Sequence, residues 1–137
     1  MIETKTLTIA DKEYKMRCSL LTVETYERTT GKKFSSLISQ YQKLGNGMAD
    51  MSDEEATEYL MDSLVDIEKS ALTLAYCMIQ EGKNKGYNED FEYSLEEFIG
   101  EVGALSSEEL KGVLQLAMSV FPRKVSKRTD TDRSQGQ

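Results

Sequence analysis

Leu60-MDSLVDIEKSALTLAYCM-Ile79 lies in the middle of the longest helical pattern in this 137-residue chain. Leu60, Leu64, Ile67, Ala71, Leu74 and Met78 recur at helical spacing and form one apolar stripe. Met61, Val65, Leu72, Tyr76 and Ile79 form a second stripe beside it. At about 100° per residue the two cover roughly half the helix circumference. The remaining arc carries Asp62, Asp66, Lys69, Ser70, Thr73, Gln80 and Glu81. A surface helix needs a narrower apolar face than this. The stretch is therefore expected to be a central helix, with partners on two flanks and water on the third. Its stripe residues read as core, and no reactive group sits among them.

The flanking residues set the limits of this helix. Ser52-Asp53-Glu54-Glu55 is a capping box, in which Ser52 and Glu55 satisfy each other's backbone donors. Its acids also suit the positive end of the helix dipole. A break near Asp62-Ser63 is allowed; otherwise the helix runs to Glu81, more than 40 Å at about 1.5 Å per residue. Gly82 to Asn88 reads as a loop. Ser94-Leu95-Glu96-Glu97 is a second box, with Tyr93 and Phe98 placed to staple it. It opens a short helix with Leu95, Phe98, Ile99 and Val102 inward, ending near Gly103. Ser106-Ser107-Glu108-Glu109 is a third box, flanked by Leu105 and Leu110. The helix after it carries Leu110, Val113, Leu114, Ala117, Val120 and Phe121 on one face until Pro122 stops it.

Upstream, Met1 to Cys18 reads as a β-hairpin. Lys5, Leu7 and Ile9 alternate with threonines, and Tyr14, Met16 and Cys18 alternate with Glu13, Lys15 and Arg17. Ala10-Asp11-Lys12-Glu13 is the expected connection. A lone hairpin is marginal in water, so its apolar face must lie on helices. Ser19 or Thr22 caps the next helix, whose apolar residues are Leu20, Leu21, Val23 and Tyr26, and Gly31 ends it. Phe34, Leu37, Ile38, Tyr41 and Leu44 mark a further helix, broken at Gly45-Asn46-Gly47. The expected class is α+β and mostly α: an N-terminal hairpin packed on a bundle of about five helices. Residues 1–122 form one domain, and residues 123–137 a disordered, polar, basic tail.

Composition narrows the chemistry. The formal net charge is −7. Five cations against two anions follow Pro122, so residues 1–122 carry −10. An acidic body repels phosphate backbones, which argues against nucleic-acid binding by residues 1–122. Histidine is absent, which removes the commonest general base and metal ligand. No glycine-rich phosphate loop occurs. The acids at Asp50 to Glu55 and at Glu89, Asp90 and Glu92 lack the ligand alternation of a calcium loop. Glu24 with Glu27, and Glu108 with Glu109, are conceivable acid/base pairs, but they sit on amphipathic helices and no pocket is implied around them. Catalytic residues, cofactors and metals are expected to be none. Cys18 and Cys77 lie on predicted elements and read as buried thiols of a reducing cytoplasm. No apolar run is long enough to cross a bilayer, and no signal-peptide layout opens the chain.

What remains is interaction. Methionines such as Met48, Met51, Met61 and Met118 offer adaptable apolar surface. The mobile-looking stretch from Met48 to Met51, together with Tyr41, is the expected partner-binding surface. The hairpin also offers at least one strand edge, for which Lys5, Lys15 and Arg17 are suitable blunting residues.

The hairpin Lys5 to Arg17, followed by Leu20-Leu21-Thr22-Val23-Glu24-Thr25-Tyr26-Glu27-Arg28-Thr29-Thr30-Gly31-Lys32, resembles the phage tail assembly chaperones of long-tailed phages and prophages of Gram-positive bacteria. That family opens with a strand pair, then a helix ending in Glu-x-x-x-Gly-Lys, then an apolar helix. Glu27, Gly31 and Lys32 stand in the motif, and Phe34, Leu37 and Ile38 match the apolar positions after it. The likeness covers roughly Lys5 to Leu44; beyond it only size, acidity, helicity and the polar tail are similar.

The resemblance implies a non-enzymatic role in the host bacterial cytoplasm. Such chaperones bind the tape measure protein and keep it soluble. They help tail tube subunits polymerise around it and are not expected in the mature virion. A ribosomal frameshift often extends them, and the polar tail matches the place of such a linker. Self-association into a homo-oligomeric coat would use the same apolar faces. The alternative is a small phage or prophage adaptor or regulatory protein that uses its basic C-terminal tail on nucleic acid. Salt-dependent DNA binding lost on removing residues 123–137 would favour it.

Overall fold

The computed structural model describes residues 4–46 and 52–121. Two strands come first, β1 (Thr4–Ile9) and β2 (Lys12–Arg17). They pair antiparallel from Thr4↔Arg17 to Ile9↔Lys12. Ala10 and Asp11 alone make the turn, with φ of 51° and 66°. Two successive left-handed residues give the tight loop whose twist matches the strands. The connection is thus two residues shorter than expected, because Lys12 and Glu13 pair with Ile9 and Thr8. Leu7, Ile9, Tyr14, Met16 and Cys18 are buried, as the alternation requires, while Lys5 stays exposed.

Among the described residues five helices follow: α1 (Leu20–Thr30), α2 (Phe34–Asn46), α3 (Asp53–Asn84), α4 (Leu95–Val102) and α5 (Ser107–Met118). The chain is therefore α+β and mostly α, with the hairpin packed on the helices. Ser19 and Thr22, read as alternative caps, act together. Ser19 is the N-cap and Thr22 bonds back to its N–H at 3.0 Å, a capping box built on threonine. The boxes at Ser52, Ser94 and Ser106 all form with their glutamates. Nothing interrupts α3 at Asp62-Ser63, and the helix runs three residues past Glu81, about 48 Å in all at 1.5 Å per residue.

α3 is the axle. β2, α1, α2, α4 and α5 all contact it, and α5 also contacts β1. Ile67, Ala71, Leu74, Ala75, Met78 and Ile79 are completely enclosed. Two expectations for this helix fail. Ser70 and Thr73, placed on the wet arc, are 4% and 6% exposed. α1 lies across that arc, and short side chains allow it to approach. Thr73 satisfies its own hydroxyl by donating to Lys69 O at 2.8 Å. Conversely, Met61 and Val65, placed in the core, are 65% and 63% exposed. Among the described residues no element covers that end of the second stripe.

Two aromatic joints fasten the bundle. Phe91, fully buried, meets Tyr14, Tyr76, Tyr93 and Phe98 with ring centroids 5.1 to 6.0 Å apart. This ties the hairpin, α3 and α4 together. At the other end Phe34 packs edge-on against Tyr26 at 6.5 Å and stacks on Phe121 at 5.7 Å, joining α1, α2 and the exit of α5. The side chains of Leu44 and Leu60, both expected in the core, lie outside the described residues. So do Met48, Met51 and residues 123–137, expected to be a disordered tail.

Candidate partner-binding surface

Glu27, Gly31 and Lys32 come together at the corner between α1 and α2. Gly31 takes φ 71°, and its N–H closes α1 on Glu27 O at 2.8 Å. A left-handed residue suits glycine here and would strain most others. The Glu27 carboxylate then accepts from Phe34 N–H at 2.8 Å, so it caps the start of α2. Lys32 donates to Asp66 at 2.5 Å, and Gln40 donates to the other Asp66 oxygen at 2.7 Å. The Lys32 and Gln40 bonds hold the Asp66 carboxyl below its usual range. The three motif residues thus set the angle between two helices and pin that corner to α3.

Tyr41 lies further along α2, half-buried against the core. It does not join that corner.

Several acids among the described residues have structural partners. Glu68 caps Leu105 N–H at 3.0 Å, Glu81 pairs with Arg17 at 2.9 Å, and Asp90 pairs with Lys12. Of the two conceivable acid pairs, Glu27 and Glu109 are spent on backbone N–H groups, and Glu24 and Glu108 are exposed. Burial pushes the Cys18 thiol up to about 12, with the Glu81 charge adding to it, and Cys77 up to about 11. Neither is a nucleophile near neutrality. The Tyr26 hydroxyl is enclosed without a hydrogen-bond partner, and burial raises its pKa; Ser70 stands near it outside bonding geometry. Among the described residues no group of three or more Cys, Asp or Glu side chains is arranged to hold a metal ion. None of the described helices is long and apolar enough to cross a membrane.

α1 runs antiparallel to α3. Thr22 and Thr25 face Cys77, Gln80 and Glu81 across a cleft of about 270 Å³. Thr30 and Lys32 face Asp66, Lys69 and Ser70 across a second of about 290 Å³. Both clefts are open, and threonines line the α1 side of each.

The four most exposed large apolar side chains among the described residues lie on α1 and on the first half of α3, and Tyr87, Met118 and Phe121 are exposed to a lesser degree. Leu20 and Leu21, on the first turn of α1, are 62% and 68% exposed. Met61 and Val65 lie one helical turn apart on the first half of α3. Some twenty residues of α3 separate the two levels, about 30 Å at 1.5 Å per residue. Leu20 and Leu21 were legible in principle. Leu20, Leu21, Thr22 and Val23 together sweep about 300° of the helix, so part of the set must face outward. Comparison of the chain with protein-family models, with curated proteins and with solved structures gives no match.

Proposed function

We propose that this chain is a non-enzymatic phage tail assembly chaperone that binds the tape measure protein and helps recruit tail tube subunits during tail morphogenesis. The observation that carries the reading is the display of Leu20, Leu21, Met61 and Val65 on regular, capped helices, each more than three-fifths exposed. Single exposed leucines are ordinary, but two apolar pairs on rigid helices form an anchor set. The two pairs stand about 30 Å apart along α3, and Met61 and Val65 lie more than about 100° round that helix from the arc that α1 covers, so they offer a partner chain two separate apolar contacts. A tape measure protein is a long helical chain with apolar stripes to shield. The order hairpin, Glu27-x-x-x-Gly31-Lys32 helix, apolar helix supports the same reading. Work of this kind belongs in the host bacterial cytoplasm, before the virion is complete.

Co-expression tests it. A tape measure fragment should become several-fold more soluble with this chain than without it. The gain should fall away in a Met61→Ser, Val65→Ser variant whose circular dichroism is unchanged. No gain with the unaltered chain sinks the proposal. Retained gain in both that variant and a Leu20→Ser, Leu21→Ser variant moves the contact elsewhere and removes its structural support.

A further inference from the structure

The two edges of the hairpin are treated differently. On β2 the backbone of Lys15 points away from β1, and the Asn88 amide takes both groups. Lys15 N–H donates to Asn88 Oδ1 at 2.7 Å, and Asn88 Nδ2 donates to Lys15 O at 2.8 Å. Lys12 pairs with Asp90, and the Lys15 ammonium lies 4.6 Å from the centre of the Tyr87 ring. That edge is closed. By the alternation of antiparallel pairing, Thr4, Thr6 and Thr8 turn their N–H and C=O groups out from the other edge. None of those groups meets a partner among the described residues. The three threonines are exposed and uncharged. Lys5, the one charged residue of β1, has its side chain beside Gly112 of α5, on the inner face. The usual protections of an edge, charge and proline, are therefore missing where the backbone is bare.

We propose that β1 pairs with β1 of a second copy, antiparallel about a two-fold axis at Thr6, to join two hairpins into one four-stranded sheet. The register follows from the strand itself. It sets Thr6 against Thr6 and Thr4 against Thr8, so each outward residue meets threonine and no like charges are opposed. The axis leaves both inner faces on the same side of the joined sheet. There, a cleft of about 330 Å³ is lined by Lys5, Thr6, Leu7, Glu108 and Glu109. It holds Lys5 together with Glu108 and Glu109, so a second copy brings charges of both signs to the seam. The pairing is isologous and closes at two subunits. It stands independently of the tape measure reading.

Thr6→Pro deletes the central outward N–H and no bond within the hairpin. Sedimentation of the full chain over a concentration series should show a monomer–dimer equilibrium, with its dissociation constant raised at least about tenfold by Thr6→Pro. Circular dichroism should not change. Thr6→Cys places a thiol on the axis, and the native Cys18 and Cys77 are buried. Mild oxidation should cross-link Thr6→Cys into a dimer and leave Glu13→Cys uncross-linked. If Thr6→Pro does not fold, Thr4→Lys with Thr8→Lys gives the same reading from solvent-facing side chains. A chain monomeric throughout the series overturns the proposal. So does a dimer that these variants leave intact, or a Thr6 amide protected from exchange only when a foreign extended peptide is added.

Discussion

The two halves of α3 carry similar apolar stripes and meet opposite fates. From Ile67 to Ile79 the helix is enclosed so fully that Ser70 and Thr73 are buried with the leucines. Before Asp66, Met61 and Val65 stand mostly in water. The difference lies in the neighbours. α1, the hairpin and the α4–α5 pair converge on the second half, while α2 reaches across to Asp66 from one side. A helix's own periodicity therefore states what it is able to bury, and the surrounding elements decide what it does bury.

The sharpest way to break this contrast is truncation. Leu74→Ala should cost about 3 kcal/mol, since the site is sealed and a cavity remains. Met61→Ala should cost less than about 0.5 kcal/mol. Equilibrium denaturation of both reads the ratio, and equal losses would mean that the first half is covered after all. Gly82→Ala comes next, at about 2 kcal/mol. A Cβ there would sit 2.6 Å from Lys15 O and 2.8 Å from Asn88 Nδ2, so either β2 or the Asn88 clamp must move. An intact Lys15 amide in hydrogen exchange of this variant would show that the clamp is dispensable.

A swap sharpens the comparison further. Thr73→Val should stabilise by about 0.5 kcal/mol, because the lost hydroxyl bonds only its own helix while the added methyl is enclosed. Val65→Thr should leave the midpoint unchanged. The smallest effect sits at the boundary. Asp66 has its pKa lowered from the ordinary 3.8 chiefly by the Lys32 bond and then by Gln40. A carboxyl lowered in the folded state contributes stability above 3.8. That contribution is lost as pH falls through the lower folded value. Asp66→Asn should therefore flatten the acid limb of the stability–pH curve and leave a small loss at neutral pH. The pair is half-exposed, which keeps the effect modest.

Much of this fold is local and so was readable. Serine followed three residues later by glutamate marked the starts of α3, α4 and α5, and Gly31 marked the end of α1, because caps are satisfied within one turn. Hairpin alternation placed Leu7, Ile9, Tyr14 and Met16 inside. Apart from the length of the hairpin turn, the failures are long-range. Phe91 sits among Glu89, Asp90 and Glu92 with no periodicity around it, yet it is the hub of five aromatic rings. Asn88 looked like loop filler, although its φ of 54° and its bonds to Lys15 and Ile79 make it the hinge pin of the β2 edge. Leu20 and Leu21, read only as apolar residues of their helix, turned outward. No pattern within one helix reports which neighbour will be absent.

The bond from Lys15 to Asn88 spans 73 residues. On the ribosome the hairpin therefore emerges without its lid. At about 5–20 residues per second, roughly four to fifteen seconds pass before Asn88 and Phe91 are made. During that interval Leu7, Ile9, Tyr14 and Met16 have no finished shelter. The nascent chain is stickiest at its hairpin, and translation speed across the long helix sets how long it stays so.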